Sequence, residues 1–246
     1  ILMNQNIAIQ TEDLGICFKM PSEPISGTKE LFIKIAKKRI KINTFWALRH
    51  VNLSLNEGES IGIMGKNGAG KSTLLKAIAR VLTPKEGRVY VRGKVFPMLE
   101  LGAGFNMELT GHENIYLYGN ILGLTNEKVT QLYDSIVEFS ELREFIHSPL
   151  RSYSTGMVAR LAFATATAVQ PDILLADEIL SVGDKDFQDK CMDRMRSYLN
   201  NGTTIVFVSH SPNSVKQICK KGLWLEHGQV RMTGSAEEVA DAYAAS

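Results

Sequence analysis

The stretch Gly65-Lys66-Asn67-Gly68-Ala69-Gly70-Lys71-Ser72-Thr73 follows an apolar run, Ser60 to Met64, and opens a helix-favouring segment. This is the pattern G-x-x-x-x-G-K-[ST] in strand-to-helix context, which suits a phosphate group. Glycines let successive backbone N–H groups face anionic oxygens, and the helix N-terminus adds the positive end of its dipole. Lys71 reaches the β/γ phosphates and the Ser72 hydroxyl can ligate Mg²⁺. A second apolar run, Ile173 to Ala176, ends in Asp177-Glu178. The carboxyl ends of strands in an open α/β sheet share one edge, so this acidic pair is expected beside the phosphate loop. Asp177 then suits the Mg²⁺ shell, and Glu178 is placed to orient and deprotonate the water that attacks the γ-phosphate.

The surrounding elements follow from hydrophobic period. Ile7 to Phe18, Val51 to Leu55, Ser60 to Met64, Arg88 to Val91, Ile173 to Ala176 and Thr203 to Ser209 read as strands. Lys71 to Val81, Gly111 to Leu122, Asn126 to Phe139, Thr155 to Val169 and Phe187 to Leu199 read as helices. Thr110 and Glu113 have capping-box spacing. The alternation predicts an α/β fold with a mostly parallel central sheet.

The chain has 246 residues, 44% hydrophobic and 22% charged, which excludes disorder and supports a core without disulfide or metal staples. A net charge of +2 gives no global signal for nucleic acid, and Cys17, Cys191 and Cys219 form no C-x-x-C pair. No window approaches the roughly 18 apolar residues of a membrane span, and the first residues lack the features of a secretory signal, so a cytoplasmic location is expected. Charge is concentrated locally: residues 19–45 hold seven basic and two acidic side chains, a balance of +5. On a helix, Leu31 to Ile42 would place Lys34, Lys37, Lys38 and Lys41 opposite a broad apolar arc. Such a helix either packs on its own domain or lies at a membrane or partner surface.

Between the two phosphate-site motifs stands Tyr153-Ser154-Thr155-Gly156-Met157, just before a helix. It resembles the signature of ABC transporter ATPases. Ser181-Val182-Gly183-Asp184 resembles that family's D-loop, with Asp184 as its acid, and Val208-Ser209-His210 its switch histidine. The resemblance runs from about Val51 to Gly234. It implies a single ABC cassette over residues 1–246: a P-loop NTPase with a RecA-like core, an antiparallel β subdomain and a helical signature subdomain at 111–170, closed by a short C-terminal helix within 235–246. It implies ATP and Mg²⁺ as ligands, with Lys71, Glu178 and His210 catalytic and His210 at the γ-phosphate.

In this family two cassettes face head to tail, so a homodimer is implied in which Ser154, Thr155, Gly156 and Met157 of one copy close over the nucleotide of the other. Ser154 and the N–H groups of Thr155 and Gly156 at a helix start would form that second anion site. Thr155 and Met157 replace the usual Gly and Gln, Ile179 replaces a Pro, and Glu100 stands where a metal-contacting glutamine is expected. Adenine stacking has two candidates, Phe18 and Trp46. The stretch Glu100 to Phe105 and the basic insert resemble the polysaccharide-export branch, which handles O-antigen, teichoic acid or capsule. That implies a separate integral membrane permease, a lipid-linked glycan as cargo, no nucleic acid partner, and a peripheral position on the cytoplasmic face of the bacterial membrane. A nucleotide-switched regulatory module with little hydrolysis is the alternative. His50, His112, His147 and His227 carry no motif and are expected at the surface.

Overall fold

A computed structural model describes residues 6–21, 42–99, 102–177 and 183–246. In chain order it shows β1 (Ile7–Pro21), β2 (Ile42–Asn56), β3 (Ser60–Met64), α1 (Lys71–Ile78), β4 (Glu86–Val91), β5 (Val95–Met98), α2 (Gly111–Ile121) and α3 (Asn126–Ser140). There follow a short 3₁₀ turn at Leu150–Ser152, α4 (Thr155–Ala166), β6 (Ile173–Asp177), α5 (Lys185–Asn200), β7 (Thr204–Val208), α6 (Pro212–Ile218), β8 (Lys221–Glu226), β9 (Gln229–Ser235) and α7 (Ala236–Ala244).

Strands β2-β1-β4 form an antiparallel sheet, and β5-β6-β7-β3-β8-β9 form a larger one whose pairings are parallel except β8 with β9. Strand β1 ends close to its expected bound, at Pro21 instead of Phe18, whereas β2 begins at Ile42, well before the expected Val51; bulges let these long strands bend. Two adjacent bulges bring Asp13 and His50, both at positive φ, together at 2.7 Å. The ends of the basic insert are strands, since Lys19 pairs with Thr44, Met20 with Asn43 and Pro21 with Ile42. Ile42 is therefore not the end of a helix. The rest of the expected insert helix, Leu31 to Lys41, lies outside the described residues.

Each sheet face has its own core. Ile61, Ile63, Leu175 and Val206 point toward α1 and the antiparallel sheet, where Leu74, Leu75 and Ile78 are fully buried. Each such side chain contributes on the order of 1.5–3 kcal/mol, which anchors the helix behind the phosphate loop. Met64, Leu174, Phe207 and Trp224 point the other way, against Phe187, Met195, Val215 and Val239 of α5, α6 and α7. Helices α2, α3 and α4 enclose a third core around Ile115, Ile136 and Leu161. The capping box at Thr110 and Glu113 is formed as expected.

Candidate nucleotide site

Strand register explains how residues more than a hundred positions apart meet. Val208 of β7 is level with Ile63 of β3 on one side and Asp177 of β6 on the other. The loop leaving β3 therefore lies at the height where β6 ends, and the Ser72 hydroxyl donates to Asp177 Oδ2 at 2.9 Å. Gly70 caps α1 at φ 103, and a Cβ there would stand 2.7 Å from both the Ala47 carbonyl oxygen and the Leu48 side chain. Only glycine combines that left-handed backbone with so close an approach. Gly65 is equally confined, since a Cβ would lie 2.4 Å from the Leu225 carbonyl oxygen.

Lys71 is 6% exposed, and its ammonium donates to the Gly65 carbonyl at 2.7 Å and the Lys66 carbonyl at 3.2 Å. A cation this buried is held across its own loop, facing a cleft of about 550 Å³ that Asn67, Gly68, Gly70, Ser72, Thr73 and Asp177 also line. A hydroxyl beside a carboxylate is a hard oxygen donor set. It fits Mg²⁺, which takes few protein ligands and completes its shell with phosphate oxygens and water.

The far wall of the cleft is aromatic. Phe18 and Phe45 are register partners on β1 and β2, both line the cleft, and they are 38% and 52% exposed. Trp46, the other candidate for stacking, is not among the lining residues and packs beside Gly15 with the Arg49 guanidinium 5.0 Å from its ring centre. Strand alternation puts Phe45 and Ala47 on the cleft side and Trp46 on the other. Phe45 was missed, although period-two counting from Ala47 would have found it.

Ser154 to Met157 do not line this cleft. Ser154 caps α4, its Oγ accepting from the Met157 N–H at 3.2 Å, and both Ser154 and Thr155 are exposed. The preceding Tyr153 is buried and donates to the Phe145 carbonyl at 2.6 Å, which pins the motif to the helical layer. His210 is solvent-exposed just past β7 and is not a core histidine. Asp184 caps α5, accepting from the Phe187 N–H at 3.0 Å. Glu100 and Glu178 lie outside the described residues. Of the other histidines, His112 departs from the surface expectation: its ring packs between Tyr116 and Tyr133, and its Nδ1 is buried.

Residues 48–181 match the ABC transporter family. The chain is similar to the O-antigen export system ATP-binding protein RfbB of Klebsiella pneumoniae, with 46% identity over 89% of each chain. It is also similar to the teichoic acids export ATP-binding protein TagH of Listeria monocytogenes serotype 4b, with 38% identity over 98% of this chain and 71% of the other. In fold it is similar to a dimeric ATP-binding cassette, MJ0796, in a post-hydrolysis state bound to ADP and Pi, with TM-score 0.73 and 24% identity over 93% of this chain and 98% of that one.

Proposed function

This chain belongs to the ABC transporter family, and we propose that it is the ATP-hydrolysing subunit of a polysaccharide exporter. The observation that carries the nucleotide chemistry is the Ser72–Asp177 contact at 2.9 Å beside the buried Lys71 ammonium, at the edge where β3 and β6 end; the cargo class is supported by similarity to export ATP-binding proteins. The triphosphate lies along the backbone N–H groups from Asn67 to Thr73, with Lys71 neutralising its terminal oxygens. Ser72 and Asp177 would hold Mg²⁺, which would neutralise negative charge on the triphosphate. Glu178 orients the attacking water and takes its proton, His210 contacts the γ-phosphate, and Phe18 with Phe45 offers a stacking surface for the base.

The exposed Ser154 end of α4 is free to close on the nucleotide of a second copy docked head to tail, so each site is completed in trans. No helix among the described residues is long and apolar enough to cross a membrane. The chain's similarity to export ATP-binding proteins supports a peripheral subunit at the cytoplasmic face, coupled to a separate permease that moves a lipid-linked glycan. Phosphate release by the purified chain, alone and with the permease that copurifies with it, tests this reading. Steady turnover that stops in Glu178→Gln is expected. Wild-type turnover in that variant would remove Glu178 as the base, and no turnover by the native chain in either setting would remove the ATPase assignment.

A further inference from the structure

We propose that Arg160 is a positioning residue that ties the signature end of α4 to the N-terminus of α5, so that Ser154 and Asp184 move as one piece during turnover; the inference rests on the ATPase reading above. Arg160 lies on α4, six residues beyond Ser154, and its side chain is only 17% exposed. One prong of its guanidinium, Nη1, donates to Glu141 Oε2 at 2.8 Å, and the other, Nη2, donates to Asp184 Oδ2 at 2.7 Å. Asp184 thus divides its oxygens between the cap of α5 and this arginine. Glu141 ends α3 at φ 62, and its second oxygen accepts from Lys190 of α5 at 2.7 Å.

Beneath this network three rings, one from each helix, meet edge to face or stacked. Phe139, Phe163 and Phe187 have centroids 5.7–6.2 Å apart. The Arg160 guanidinium lies 4.8 Å from the Phe187 ring, and that of Arg194 lies 4.4 Å from Phe139. A planar fork that is stacked on one side and bonded at both prongs has little freedom to turn. Asp184 follows Asp177, the carboxylate bonded to Ser72, by seven residues. Arg160 therefore joins the element that contacts nucleotide in trans to the chain leaving the acidic strand end of the same protomer. Ion pairs whose acids are largely exposed add little to global stability, so the role is expected to show in turnover and not in melting.

The test compares the full chain with Arg160→Gln, Arg160→Lys and Glu141→Gln, reading ATP hydrolysis against ATP concentration, thermal melting, and hydrogen exchange at the start of α5. Arg160→Gln is expected to lower kcat about tenfold or more with KM for ATP held within about twofold, because the loss falls on the transition state and not on nucleotide binding. Cooperativity in ATP falls with it, and amides near Phe187 exchange faster at an unchanged melting temperature. Arg160→Lys recovers part of kcat, since an ammonium can hold one carboxylate at a time, and Glu141→Gln gives an intermediate loss. Wild-type kcat and exchange in Arg160→Gln would overturn the inference. So would a loss that tracks a lower melting temperature and is not relieved by Lys, because that pattern marks a purely structural residue. Inactivity of the wild-type chain would instead count against the ATPase reading.

Discussion

Phe45→Ala and Trp46→Ala separate the two faces of one strand. Phe45 is 52% exposed at the cleft mouth, opposite Phe18 in register, so its removal costs little stability. Stacking of a base on an aromatic ring is worth about 1–3 kcal/mol by alanine substitution, which corresponds to about 5- to 150-fold in Kd for ATP. Trp46 instead covers Gly15 and carries Arg49 at 5.0 Å. Its loss forfeits a partly buried indole and a cation–π contact, about 1–2 kcal/mol of stability, and leaves ATP affinity unchanged. Calorimetric titration with Mg-ATP, paired with thermal melts, reads both effects. The expected result is a crossed pattern, with weakened binding at constant melting temperature for Phe45→Ala and the reverse for Trp46→Ala. Equal losses of affinity, or the larger loss from Trp46→Ala, would refute the placement of the base.

Ser72→Ala removes the donor to Asp177 and is expected to raise the Mg²⁺ concentration needed for half-maximal turnover by about tenfold or more, since one of few protein ligands is lost; an unchanged Mg²⁺ profile would exclude Ser72 from the metal shell. The Lys190 hydrogen bond, with further help from the Lys190 and Arg160 charges, holds the Glu141 carboxyl below its ordinary range. A depressed carboxylate stabilises the fold above its unfolded pKa, near 4.5, and that contribution is lost as pH falls through the folded value. Any melting-temperature difference between wild type and Glu141→Gln is expected to be small, as for a half-exposed ion pair, and to vanish on acidification below about pH 4.5; a gap that widens would contradict the pairing. Burial pushes the Cys191 thiol up to about 12 and raises Cys219 too, whereas Cys17 is half-buried. Alkylation of the native protein at neutral pH should modify Cys17 alone, and label on Cys191 would show that α5 opens.

The phosphate loop was legible because its glycines, lysine and serine are all required at fixed spacing within a strand-to-helix turn. The Asp177 strand end was legible only in company with that loop, since acids after a short apolar strand are by themselves often a solvated strand end. Strand β5 was not. Val95-Phe96-Pro97-Met98 contains a proline that argues against a strand, yet β5 pairs only with β6, and an edge position tolerates a missing N–H. The seven-residue α6, opened by Pro212 after the Ser211 cap, spans under two turns and is too short for a helical period to stand out in sequence. Helix α1 ends at Ile78 and not at Val81, because Arg80 turns to φ 60. The Arg160 joint was invisible because its partners Glu141 and Asp184 lie 19 and 24 residues away, and nothing in the local pattern marks an ion pair between separate helices.

The most direct test of the account is the mass of the Glu178→Gln chain in solution, measured by sedimentation with and without Mg-ATP. A monomer that becomes a dimer holding two nucleotides, and that stays monomeric when Ser154 is changed to Arg, is the predicted result. A chain that binds ATP tightly yet sediments as a single protomer at every concentration would contradict it.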